Sequence, residues 1–113
     1  MPPTPLTGIR DALLELHTQA REIGEHHVAY HALAAALHAD ESLQDLDSIL
    51  EVETRAREHG GWINQHAPTH ALSAQSAALR GHHSIFEQLA NTAVAARVRI
   101  KAEKLTHKNK ERP

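Results

Sequence analysis

Eleven of the 113 residues are histidine, the side chain that both binds transition metals and titrates near neutral pH. Their spacing sorts them. His27 and His31 stand four residues apart, which on a helix puts both rings on one face, close enough to grip a single ion. His66 and His70 share that spacing, but Pro68 between them interrupts a regular turn. His83 and Glu87 form a third pair, mixing imidazole with carboxylate. There is no cysteine, so disulfides and thiolate sites are excluded, and an imidazole and carboxylate set leaves zinc, nickel, iron and copper open. His17, His38, His70 and His107 are expected only to form ordinary hydrogen bonds or to face solvent.

Several known chemistries can be tested by motif and fail. A ferritin-like di-iron centre needs Glu-x-x-His on two helices, and no Glu-x-x-His occurs in the chain. A nucleophile elbow, a glycine-rich phosphate loop and a paired acid dyad are also missing. No enzymatic activity is expected.

The elements that must position these histidines read as helices. Ile9, Leu13, Leu16, Ala20, Ile23, His27, Tyr30, Ala34 and Leu37 alternate steps of four and three, a sustained heptad with His27 as its one strongly polar member. This predicts a single helix over residues 6–39, about 50 Å long at 1.5 Å per residue. Asp40-Glu41-Ser42 would cap a second helix, carried by Leu46, Ile49, Glu53, Ala56 and Gly60. Gly60-Gly61 marks either its end or a close approach of another helix, and His66–Thr69 is the expected break. A third pattern runs through Leu72, Ser76, Leu79, His83, Phe86, Ala90 and Ala93, with Gly81 as a kink or a new start. Again a histidine occupies the seam three residues before an aromatic. A weak echo at an offset of 56 residues pairs Ile23, His26, His27, Tyr30 and Leu33 with Leu79, His82, His83, Phe86 and Leu89. The fold expected is all-α, one antiparallel up-and-down bundle of three to four helices over residues 1–113. Residues 1–5 would be an extended lead and residues 106–113 a basic, disordered tail.

Composition narrows the partners. Hydrophobic residues make up 41% of the chain, but it has one Trp, one Tyr and one Phe. An alanine-rich core buries little area, so self-association or ligation across the bundle is expected. Seven Lys/Arg against two Glu fall between Arg97 and Pro113, and five against twelve Asp/Glu elsewhere. A basic end can meet nucleic acid; without interleaved aromatics it reads instead as a solvated helix end, and nucleic acid is not expected as a partner. No apolar run approaches the roughly 20 residues of a membrane span. The start, Met1-Pro2-Pro3-Thr4-Pro5, lacks the order of a signal peptide. A cytoplasmic location with no membrane partner is expected, the partner being a second copy or another helical protein.

These spacings resemble the chemoreceptor zinc-binding (CZB) domain. That family has a His three residues before an aromatic, then Cys-x-apolar-Gly-x-Trp, then His-x-x-x-His. His27-Val28-Ala29-Tyr30 is similar to the first element, Gly60-Gly61-Trp62 to part of the second, and His82 or His83 to the start of the third. The cysteine position holds Arg57, the apolar one His59, and the fourth ligand position Phe86 or Glu87. The resemblance spans residues 20–90 and implies a zinc-binding, sensory or signalling bundle. His27 and His83 would be its principal ligands. His59 and Glu87 would complete the shell by chemical substitution, with Trp62 packed beside it. The rival reading is a structural or interaction bundle that dimerises through alanine-rich seams, its core histidines hydrogen-bonded across helices and no metal bound.

Overall fold

The computed structural model describes residues 4–110. It is all-α, with helices α1 (Pro5–Glu22), α2 (His26–Leu43), α3 (Leu46–His66), α4 (Ala74–Leu79) and α5 (Ile85–Lys110). Four long helices form the bundle expected from the heptads, and the six-residue α4 interrupts the α3–α5 connection. Arg10 bonds to Asp40, Asp40 to Ser48, and Glu53 to Arg97. The first two pairs join the end of one helix to the start of its neighbour, and Phe86 at the start of α5 lies against Gly60 in the second half of α3, so α1, α2, α3 and α5 run up, down, up and down. Among the described residues no helix is long and apolar enough to cross a membrane.

The helix starts follow capping chemistry. Thr4 accepts the Thr7 N–H with Pro5 in the first turn, Asp45 accepts the Ser48 N–H, and Ser73 accepts the Ser76 N–H. Asp45, not the expected Asp40-Glu41-Ser42, opens α3, because α2 runs on to Leu43 and turns through Gln44 at φ 54°. α3 ends at His66, before Pro68.

The single helix expected over 6–39 is two. Gly24 sits at φ 79°, a conformation that costs glycine little and other residues much, and the chain reverses there. Gly81, at φ 74°, likewise separates α4 from α5. At the far end α5 continues helically to Lys110, through much of the segment expected to be disordered. Residues 1–3 of the expected lead and 111–113 of the tail lie outside the described residues.

The main core joins Leu14, Leu33, Leu37, Ile49, Val52 and Ile100 with four alanines, Ala36, Ala56, Ala90 and Ala93. Each fully buried Leu, Ile or Val contributes about 1.5–3 kcal/mol, while the alanines chiefly let backbones approach. Gly60 extends that effect: a Cβ there would lie 2.9 Å from Phe86 Cβ. Of the two roles open to Gly60-Gly61, close approach is the one realised, and only Gly60 serves it. A smaller cluster of Ile63, Leu72 and Phe86 closes the other end, with Tyr30 bridging the two. α1 packs along α2, while α3 packs along α5. That leaves α1 at one edge of a body measuring 58 × 30 × 17 Å.

Candidate functional site

Three histidines are buried: His17 on α1, His26 on α2 and His59 on α3. They form one chain. His17 Nε2 lies 3.1 Å from His59 Nδ1, and His59 Nε2 lies 2.8 Å from His26 Nδ1. Its polarity is set from outside, by Arg55. That guanidinium can only donate, and its Nη1 hydrogens go chiefly to the Leu14 carbonyl and Thr18 Oγ1. Its positive charge nevertheless faces His17 Nδ1 at 3.4 Å and disfavours an N–H there, so His17 carries its proton on Nε2. His17 then donates to His59 Nδ1, His59 donates from Nε2 to His26 Nδ1, and His26 keeps a proton on Nε2. All three rings adopt the same tautomer.

The surroundings hold this chain neutral. Burial, with Arg55 and Arg21 nearby, pushes His17 down to about 4. Burial, with Arg21 and the neighbouring histidines, pushes His59 down to about 3. His26 is also lowered, by burial first and then by His70, Arg21 and His27, against the opposing charge of Glu25. Phe86 packs on His59 with ring centroids 4.4 Å apart. At the α2 end, His70 meets His26 edge-on at 5.1 Å and lies 5.8 Å from His27. Trp62 stands 5.6 Å from His26 and stacks on His66 at 4.7 Å.

The residues expected from sequence to bind zinc are distributed differently. Only His59 is buried; His27, His83 and Glu87 are all exposed. Among the described residues no two of these four share a hydrogen bond, ion pair or ring contact. The expectation that His27 and His83 occupy core seam positions is corrected by the two glycine turns. Gly24 resets the register so that His26, not His27, faces inward, and Gly81 leaves His83 in the connection before α5. The buried trio does not converge on one ion either, since His59 turns its two nitrogens to different partners. Among the described residues no three His, Cys, Asp or Glu side chains gather in a way that would hold a metal ion.

His17 and His26 were missed, and for different reasons. The inward face of α1 is Arg10, Leu14, His17 and Ala20, a stripe that reads as solvent-facing because two of its four members are polar. The available signal was its spacing of four, three and three. For His26 the signal was its position two residues after Gly24. The 56-residue echo is partly structural, since Tyr30 and Phe86 meet edge to face at 5.6 Å and Leu33 and Leu89 are both in the core. His26 is buried, whereas its counterpart His82 is exposed.

A second buried polar cluster ties the other ends of α1, α2 and α3. Arg10 Nη1 donates to Asp40 Oδ1 at 2.8 Å and Asp45 Oδ2 at 3.0 Å, and Nε donates to Asp11 at 2.7 Å. Ser48 Oγ donates to the other Asp40 oxygen at 2.8 Å. Burial pushes the Asp40 carboxyl up, against the hydrogen bonds from Arg10 and Ser48. Asp45 is held down, first by the Ser48 N–H and then, against its partial burial, by Arg10.

Compared with protein-family models, with curated proteins and with solved structures, the chain matches none.

Proposed function

We propose that this chain is a helical interaction module that pairs with a second copy of itself through the outer face of α1, its core histidines serving as hydrogen-bonded internal ties. The carrying observation is the fate of the first heptad. Of Ile9, Leu13, Leu16, Ala20 and Ile23, only Ala20 is buried, while Ile9 is 54%, Leu16 49% and Ile23 77% exposed. Heptad spacing is the pattern that packs one helix on another, and although Leu13 packs against the main core, Ile9, Leu16 and Ile23 are left largely uncovered by the described residues. Val28 of α2, 56% exposed, extends the apolar surface.

A second copy suits this surface. In an antiparallel pairing of two α1 helices, Ile9 would face Ile23 and Leu16 would face its own counterpart on the two-fold axis. Ala12 and Gln19, which flank the stripe on its open side, are uncharged, and Glu22, which also borders the surface, does not meet its own counterpart in an antiparallel pairing centred on Leu16. The alanine-rich core supplies a further reason for association, since burying this stripe adds apolar area that the monomer lacks.

Sedimentation velocity across a concentration series tests the reading. A dimer is expected, and Leu16→Glu, which sets two carboxylates face to face, is expected to give a folded monomer. A monomer at all concentrations, or a dimer indifferent to Leu16→Glu and Ile23→Glu, would refute it. The same series with chelator and with added zinc separates the transition-metal reading: assembly lost in chelator and restored by zinc would favour a zinc-binding regulatory module instead.

A further inference from the structure

A cleft of about 510 Å³ opens between the second half of α1, the start of α2 and the middle of α3. That volume is in the range of small-molecule sites. Its inner surface includes His17 and His26, the two ends of the buried histidine chain, and Trp62 forms a wall. It lies on a different flank of α1 from Leu16 and Gln19, with Glu22 alone bordering both surfaces.

Four formal charges face this cleft: Arg21 and Glu22 from α1, Arg55 and Glu58 from α3. Arg55 is fixed in place, because its Nη1 donates to the Leu14 carbonyl at 2.9 Å and to Thr18 Oγ1 at 3.1 Å. Its Nη2 protons remain for another acceptor. Arg21, Glu22 and Glu58 make no ion pair or side-chain hydrogen bond among the described residues. Arg21 and Glu22 are successive residues on a helix and so do not face each other.

Within the lining the two cations and two anions form no ion pair with one another; Arg55 alone has a carboxylate nearby, Glu51 outside the cleft, on its Nε side at 3.6 Å. A plain anion or a plain cation would satisfy half of them and repel the rest. We infer that the cleft binds a free amino acid as its zwitterion, the carboxylate held between Arg21 and Arg55 and the ammonium by Glu22 and Glu58. Arg21 can meet the carboxylate with a two-point guanidinium fork and Arg55 with its Nη2 protons, while the Trp62 wall gives the ligand's side chain an apolar surface.

The test begins with thermal unfolding in each standard amino acid at about 10 mM, since a ligand of the native state alone raises the midpoint. The best of them is then titrated against the emission of Trp62, the only tryptophan, beside its deaminated acid and its decarboxylated amine. At least one amino acid is expected to raise the midpoint and to change the emission saturably. Both half-ligands, and the variants Arg21→Ala and Glu58→Gln, are each expected to bind about tenfold more weakly or worse. Those two side chains have no hydrogen-bond or ion-pair partner among the described residues, so the variants are expected to fold, which circular dichroism checks. No shift with any amino acid overturns the inference. So does a deaminated acid that binds as tightly as its parent, which would make this a simple anion site, or an Arg21→Ala variant that binds normally. Repeating the titration in Leu16→Glu keeps the result separate from self-association.

Discussion

His59 Nε2 lies 2.8 Å from His26 Nδ1 across the α2–α3 interface, and with the tautomers set by Arg55 it is the donor. The bond exists only while His26 is unprotonated on that nitrogen, and the His17–His59 bond only while His59 Nδ1 is free to accept. Protonating the chain therefore breaks the ties that join α1, α2 and α3 at this end.

The pH dependence of stability follows with a definite sign. An unfolded histidine titrates near 6.5, whereas folding pushes His17 to about 4 and His59 to about 3. Between those values the unfolded chain binds more protons, so the contribution is fully present above about 6.5 and is lost as pH falls towards 4. Each such group changes the unfolding free energy by up to ~1.4 kcal/mol per pH unit. Urea unfolding at pH 7.5, 6 and 5 is expected to show a drop of about 1–3 kcal/mol over the last step. His59→Leu is expected to cost about 1–3 kcal/mol at pH 7.5, by orphaning the facing nitrogens of His17 and His26, and to flatten the pH slope. A wild-type profile that is level from 7.5 to 5 would contradict the buried neutral chain.

Adjacent glycines of α3 give an internal comparison. A Cβ at Gly60 would meet Phe86 Cβ at 2.9 Å, while one at Gly61 meets nothing within 4 Å. The obstructing atom is the root of its side chain, so no rotamer change relieves the contact. Gly60→Ala is expected to destabilise by about 1–3 kcal/mol through overpacking. Gly61→Ala is expected to stabilise by about 0.5–1 kcal/mol through helix propensity. Chemical denaturation of the two variants side by side measures both, and equal effects would mean that α3 and α5 are not packed this closely.

Asp40 and Asp11 both bond to Arg10, but Asp40 is fully buried and the Asp11 side chain is 64% exposed. Asp40→Ala leaves a buried guanidinium short of its main partner and strands Ser48 Oγ as well. A loss of about 3–5 kcal/mol is expected, as for other broken buried pairs. Asp11→Ala is expected to cost less than about 1 kcal/mol, as exposed pairs do. Comparable losses from the two substitutions, read from urea midpoints, would place Arg10 in a more solvated setting than its geometry implies.

What the sequence made legible was local. The all-α class and the break after His66 each follow from a few neighbouring residues, whereas Gly60-Gly61 offered a helix end and a close approach alike, and only the packing of Phe86 decides between them. The site was not legible, because it depends on two things spacing cannot supply. The first is register: a heptad drawn through Gly24 puts His27 inward, and a turn at positive φ shifts that to His26. The second is pairing between distant polar residues. Arg10, His17, Asp40 and His59 are buried because each finds a partner more than 29 positions away, and nothing local distinguishes them from solvent-facing residues. The same heptad that misplaced His27 does describe a real stripe from Ile9 to Ile23, of which Ile9, Leu16 and Ile23 lie outside the core of their own chain.

The turns on either side of α2 differ in a testable way. Gly24 reverses the chain between α1 and α2 at φ 79°, and Gln44 does so between α2 and α3 at φ 54°. Glycine meets such a demand without a Cβ clash, whereas an L residue in the left-handed region costs about 1 kcal/mol. Gly24 has open space around it, so Gly24→Ala tests the backbone alone and is expected to lose about 1 kcal/mol. The Gln44 side chain is exposed, and the contact made by this residue with Lys104 is through its main-chain carbonyl, at 2.8 Å. Gln44→Gly keeps that contact and relieves the strain, offset in part by the greater freedom of glycine in the unfolded chain. A net gain of a few tenths to about 1 kcal/mol is expected. The opposite signs of the two changes in unfolding free energy are the decisive observation, and a loss in both would show that the Gln44 side chain contributes more than its exposure suggests.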